Sequence, residues 1–176
     1  MEYKWKITIL GDFAVGKTSL VQRFVYNTFS DSYLTTIGVK VSRKEVKLGG
    51  TDTAMLLLWD IAGTDLFTQV SHDYLRGASG AIIVGDISRK DTLASLEKHL
   101  ALFREINPGS GYVIAVNKTD LIGADAGTEA ARRHLPATGA LSTAEVFATS
   151  ALDGRNVESM FTALAKKIEG RGGSEK

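Results

Sequence analysis

The chain has 176 residues, and 21 Lys and Arg against 20 Asp and Glu leave a formal charge of +1, which excludes a generic polyanion binder and gives no expectation of a nucleic-acid partner. At 44% apolar and 23% charged it has the composition of one globular domain, and no apolar run approaches the roughly 20 residues of a membrane span. Zero Cys excludes disulfides, thiolate metal sites, a nucleophilic cysteine and cysteine-linked lipid anchors, while Glu2 stands where myristoylation needs Gly. No signal stretch is evident, so a cytoplasmic monomer without a direct lipid anchor is expected. Eighteen Gly against two Pro suggest many tight turns or ligand loops lined by backbone.

Trp5, Ile7 and Ile9 alternate with Lys6 and Thr8 and predict a strand, which runs into Gly11-Asp-Phe-Ala-Val-Gly16-Lys17-Thr18. A helix is expected from Lys17 to Tyr26, then a long polar loop from Asn27 to Gly38. Val39 to Leu48 reads as an edge strand, guarded by Lys40, Arg43, Lys44 and Lys47; its apolar positions change phase, which predicts a bulge or twist. Gly49 to Asp52 is a turn, and Thr53 to Asp60 returns as a near-continuous apolar strand that should be fully buried, closing an antiparallel hairpin. Beyond Asp60, strands alternate with helices: Ala81 to Asp86, a helix near Thr92 to Asn107, Tyr112 to Asn117, one short helix between Gly123 and Leu141, then Glu145 to Ser150. That alternation predicts βα units and a mostly parallel sheet. Leu93, Leu96, Leu100, Phe103 and Ile106 keep helical spacing, as do Val157, Met160, Phe161, Leu164 and Ile168 in a final helix, so both stripes are expected to be core. Residues 1–170 form one domain, and 171–176 a flexible tail.

Gly11 to Thr18 satisfies G-x-x-x-x-G-K-[ST] between a predicted strand and a predicted helix, the context its mechanism needs. Amides of Phe13, Ala14, Val15, Gly16, Lys17, Thr18 and Ser19 can face phosphate oxygens, Lys17 can reach the β and γ phosphates, and the Thr18 hydroxyl can hold Mg²⁺. Asp60-Ile-Ala-Gly63 follows a predicted strand, so Asp60 can serve the metal through water and the Gly63 amide can approach a γ phosphate. Asn117-Lys118-Thr119-Asp120 follows another strand at the same rim. The Asp120 carboxylate can accept from the N1–H and N2–H₂ edge of guanine, a pair adenine lacks. Asn117 can tie the loops together, the Lys118 stem can cover a ring face, and Ser150-Ala151 can offer a backbone amide to O6. The run Arg132-Arg133-His134 reads as a solvated face or an anion site.

With these segments in this order, residues 4–169 resemble the Ras-like small GTPases, most closely the Rab branch. The likeness is carried by Gly11 to Thr18, Thr36-Ile-Gly-Val39, Trp59 to Gly63, Tyr74 to Ala78, Asn117 to Asp120 and Thr149-Ser-Ala151. It implies a P-loop NTPase of the small G-domain type: α/β, a six-stranded mostly parallel sheet with one antiparallel edge strand, and about five helices on both faces. It implies bound GTP or GDP with Mg²⁺, hydrolysis of GTP, and effector, exchange-factor and activator proteins that engage switch I (27–38) and switch II (60–76). By that resemblance Thr36 closes on Mg²⁺ and the γ phosphate, Phe29 stacks on guanine, Tyr33 covers the phosphates and Leu152 stands beside the base. Lys17, Thr36, Gly63 and residue 64 then form the catalytic set.

The chain departs from the family where hydrolysis is controlled. Thr64 stands where members usually have the Gln that orients the attacking water, and a short hydroxyl cannot bridge in the same way, so slow intrinsic turnover is expected. Phe13 stands where a small residue is usual and would crowd an arginine finger, a group worth about 10³ to 10⁵ in rate. Either a partner supplies the missing side chain or Phe13 points outward. Ile37 to Val41 lacks the acidic-Phe pair usual in Rabs, and Leu152 replaces a Lys, so ordinary Rab effectors are not expected to fit. Two readings follow: a slow GTPase switch, or a binding module that keeps GTP permanently. A P-loop kinase with a small acceptor is a remote third; His72 in the second switch reads as an ordinary polar residue.

Overall fold

The computed structural model describes residues 1–32, 35–63, 69–123, 127–137 and 139–172, without the side chains of 69–71. Six strands form one sheet: β1 (Glu2–Leu10), β2 (Val39–Lys47), β3 (Thr53–Ile61), β4 (Gly80–Asp86), β5 (Gly111–Asn117) and β6 (Val146–Ala148). Their order is β2-β3-β1-β4-β5-β6, parallel throughout except for β2 against β3. The helices are α1 (Lys17–Tyr26), α2 (Gln69–Leu75), α3 (Lys90–Ala94), α4 (Leu96–Ile106), α5 (Thr128–Arg132) and α6 (Val157–Gly172). Only Ser95, itself in the right-handed helical region, separates α3 from α4, so the described helices act as five bodies, as expected. The helix α6 runs through Gly172, past the expected domain boundary at 170.

Alternation along the strands sends successive side chains to opposite faces, and each face has its own core. Ile7, Ile9, Ile82, Val84, Val113 and Ala115 meet α1 and α6, where the Phe24 and Phe161 rings stack 3.9 Å apart. Ile83, Ile114 and Val116 meet Leu93, Leu96, Leu100 and Phe103 of α3 and α4. Both predicted helical stripes are therefore core, with Ile106 packed at the margin.

Two strand expectations are corrected. The β2–β3 register runs unbroken from Val39↔Ile61 to Lys47↔Thr53, so β2 has no bulge. The phase change is absorbed by side chains: Val46 and Ser42 are buried, Lys44 lays its ammonium over the Phe24 ring on the same face, and Val41 is left exposed. Nor is β3 fully buried. Ala54, Leu56 and Leu58 are buried while Met55, Leu57 and Trp59 are half-buried, because among the described residues that face meets only partial cover, Tyr74 of α2 and the Lys6 ammonium against Trp59. Among the described residues no helix is long and apolar enough to cross a membrane.

Candidate functional site

The loops that leave the carboxyl ends of β1, β3, β5 and β6 converge on one cleft of about 410 Å³, where open α/β sheets place their ligands. Its wall includes Phe13, Ala14, Gly16, Lys17, Thr18, Ser19, Phe29, Thr36, Gly63, Asn117, Lys118, Asp120, Ala151 and Leu152. Residues distant in sequence thus meet in one cleft. Tyr33 and Thr64 lie outside the described residues. The Val15 side chain is fully buried in the core, so that residue can offer only backbone, and Ser150 is buried behind the wall.

At one end β1 stops at Leu10 and the loop turns into α1. Gly16 caps that helix at φ 99°, and a Cβ there would fall 2.4 Å from Asn117 Nδ2, so only Gly fits. Lys17 is 6% exposed; its Nζ donates to Gly11 O and Asp12 O, both at 2.8 Å. Burial holds the ammonium at a pKa of about 8, with Asp60 and Asp12 opposing the shift, so an anion here would recover part of that cost.

Beside it, Thr18 Oγ1 lies 2.8 Å from Thr36 Oγ1 and donates to Asp60 Oδ2. Asp60 is 1% exposed and its Oδ1 has no hydrogen-bond partner. Burial pushes this carboxyl up, against Thr18, Lys17 and Lys40, which favour the ionised form. Two hydroxyls and a carboxylate with an idle oxygen suit a hard cation such as Mg²⁺. Among the described residues no group of three or more His, Cys, Asp or Glu could hold a metal ion. Gly63 closes this end: a Cβ on it would stand 2.5 Å from Phe13 N and 2.6 Å from Asp12 C.

At the other end Asp120 is held by Ser150 Oγ, 2.6 Å from its Oδ1. Asn117 joins two loops: Nδ2 donates to Val15 O at 3.0 Å, and Oδ1 accepts from Thr149 Oγ1 at 3.1 Å. Lys118, in the left-handed region at φ 63°, donates to Ala14 O at 2.8 Å and pairs with buried Asp86 at 2.6 Å. The turn after β6 is pinned by Arg23, whose guanidinium takes the carbonyls of Ala151 and Leu152 at 2.9 and 2.6 Å. Exposed Phe29 and Leu152 flank the opening. His72 lies on α2 and is not part of the described wall. Of the basic run, Arg132 is structural, donating to Ser142 O and Ala144 O; Arg133 and His134 are solvated.

Sequence reasoning missed Gln22, Ser30, Asp31, Ser32 and Leu121, which complete the wall, and Asp86 and Arg23, which act behind it. Asp86, directly after an apolar strand like Asp60 and next to Ile87, offered a signal; Arg23 on a helix face offered none.

The model of the Ras family matches residues 6–170. The chain belongs to the Ras family. The Ras-related protein Rab-11B of Dictyostelium discoideum is 36% identical over 169 residues, covering 93% of this chain and 73% of that relative. The Ras-related protein Rab-25 of Homo sapiens is 37% identical over 168 residues, 94% of this chain and 76% of its own. The GTP-binding protein ypt1 of Schizosaccharomyces pombe is 31% identical over 174 residues, 98% and 84%. These place this Ras-family chain close to the Rab branch and make it a small GTP-binding switch protein with the P-loop NTPase fold.

Proposed function

We propose that the chain binds GTP and GDP with Mg²⁺ and hydrolyses GTP slowly, cycling between two states that effectors distinguish. The observation that carries this reading is one cleft with opposite chemistries at its ends: Lys17, Thr18, Thr36 and the idle Asp60 oxygen at one, the Ser150-held Asp120 carboxylate at the other. Thr18 and Thr36 would ligate the cation directly and Asp60 through water; the cation would neutralise charge on the phosphates. Lys17 would exchange two loop carbonyls for phosphate oxygens, the loop amides and the Gly63 amide would take the remaining ones, and Asp120 would select guanine. Asn117 and Lys118 hold the loops beneath the base; Phe29, Leu152 and the Ala151 amide would surround it. Thr36 ties switch I to this centre, and through switches I and II exchange factors, activators and effectors would act.

Slow turnover rests on Thr64, which has no carboxamide to hold water against the γ phosphate. A second reading, permanent retention of GTP, is favoured by the same residue together with Phe13, which is 43% exposed beside Gly63. Chromatography of the nucleotide released from purified protein tests both. GDP is expected; GTP alone would support retention, and adenine nucleotide would overturn the guanine assignment. In single-turnover assays Thr64→Gln is expected to speed phosphate release at least about tenfold. An unchanged rate would remove residue 64 as the cause.

A further inference from the structure

Every carbonyl of the phosphate loop from Gly11 to Val15 is taken by a side chain. Lys17 takes those of Gly11 and Asp12, Arg89 Nη1 that of Phe13 at 2.8 Å, Lys118 that of Ala14 and Asn117 that of Val15. Carbonyls turned this way leave the loop N–H groups for an anion. Lys17, Asn117 and Lys118 belong to the motifs already described. Arg89, from the turn between β4 and α3, does not.

Arg89 has a companion in α4. His99 is 1% exposed, and its Nε2 lies 2.7 Å from Asp12 Oδ1. Burial lowers its pKa, Lys17 and Lys98 add to the effect and Asp12 opposes it, so the ring is neutral near pH 7. A carboxylate only accepts, so Nε2 carries the proton and donates to Asp12. His99 therefore holds the Asp12 side chain while Arg89 holds the next carbonyl, which grips the Asp12–Phe13 peptide on both sides. That peptide is also the surface Gly63 closes on, with no room for a Cβ.

We propose that Arg89 and His99 are positioning residues that fix the Asp12–Phe13 peptide, and with it Gly63, and so set the site's preference for a terminal phosphate, GTP over GDP. The proposal rests on the reading of the cleft as a guanine-nucleotide site. Its selectivity follows from where the other contacts act. The amides from Val15 onward are held by α1 and Asn117, and the base end by Ser150, Asp86 and Thr149, none of which depends on Arg89 or His99. A shift of the clamped peptide therefore moves Gly63 directly and the inner-phosphate site less, because Lys17 keeps its bond to Gly11 O when Asp12 O moves, and it spares the base. A merely structural role would weaken both nucleotides alike.

The test uses the full chain as wild type, His99→Phe (ring without a donor), His99→Gln (donor restored) and Arg89→Ala, titrated with fluorescent GDP and a fluorescent non-hydrolysable GTP analogue in Mg²⁺. His99→Phe and Arg89→Ala are each expected to weaken the GTP analogue about tenfold more than GDP, with His99→Gln restoring the ratio to within about twofold. Equal losses for both nucleotides, no loss, or failure of His99→Gln to restore the ratio would overturn the proposal. If His99→Phe does not fold, Arg89→Ala decides, since that side chain is 39% exposed and its pair with Asp91 is a surface one. Wild type that binds neither nucleotide would instead overturn the proposed function itself. Wild type that binds both, with an unchanged ratio in the variants, would sink only this inference.

Discussion

The phosphate loop and the first switch segment form opposite walls of the same cleft and are built in opposite ways. Between Gly11 and Val15 each carbonyl meets a side-chain donor, Lys17 from the start of α1 and Arg89, Asn117 and Lys118 from elsewhere in the fold. Between Asn27 and Gly38 the described residues 27–32 are exposed, and Ser30 and Ser32 bond each other. Among the described residues that segment is bonded to Arg23 at Asn27, meets Thr18 through Thr36 Oγ1, and is anchored at its far end where Gly38 O accepts from Ala62 N. An over-determined loop is preorganised for phosphate; a segment that meets Thr18 by the Thr36 hydroxyl can respond to what binds there.

The largest break of this contrast is at the rigid wall. Lys17→Ala removes the buried ammonium and frees Gly11 O and Asp12 O together, so GTP and GDP affinity should each fall at least about a hundredfold by isothermal titration. Loss confined to GTP would contradict a role at both phosphates. Next comes the base end, where Asp120→Asn replaces an acceptor pair by an acceptor and a donor. GTP affinity should fall about 10- to 100-fold while ATP affinity does not, narrowing the ratio read by competition; an unchanged ratio would move guanine recognition elsewhere.

Breaking the switch wall should cost less and discriminate more. Thr36→Ala removes its hydroxyl contact with Thr18 but leaves the loop intact, so Mg²⁺-dependent affinity for a GTP analogue should drop about tenfold with GDP nearly unchanged. Equal loss of both would mean that Thr36 belongs to the rigid wall.

The smallest effect sharpens the support beneath the loop. Burial pushes Asp86 up, but bonds from Lys118 and Ser88 win and hold its carboxyl below the usual range. The unfolded chain then binds the proton first, so this stabilisation is present above the ordinary carboxylate pKa and is lost as pH falls through the lowered native value. Asp86→Asn should lower stability at neutral pH by about 1–3 kcal/mol, with the difference shrinking in acid, as read by thermal melts from pH 7 to 3. A difference independent of pH would assign Asp86 a role by shape alone.

Much of this site was legible before any tertiary contact was known, for a local reason. Gly16, Lys17 and Thr18 are successive residues at one loop-to-helix junction, and Asn117 and Asp120 stand three residues apart at the end of a single strand. Other features were decided by contacts that spacing does not encode. The apolar run Ala54 to Trp59 forecast a buried strand, but burial depends on what covers each face, and there one face is fully covered and the other half-buried. The phase change of Val39, Val41, Val46 and Leu48 forecast a bulge or twist; the bulge was avoided, the long Lys44 side chain lying over Phe24.

The chain by itself determined the fold class, the strand-to-loop order and the residue types gathered at the carboxyl rim, because hydrophobic period, glycine placement and turn chemistry are written within a few residues. Only the tertiary structure decided that Arg89 and His99 reach the phosphate loop, that Ser150 aims Asp120 and that Asp86 anchors Lys118. These partners lie 76, 87, 30 and 32 residues apart in the chain. Such pairings follow from strand order and helix placement, which bring distant side chains within hydrogen-bond reach with no local pattern to announce them.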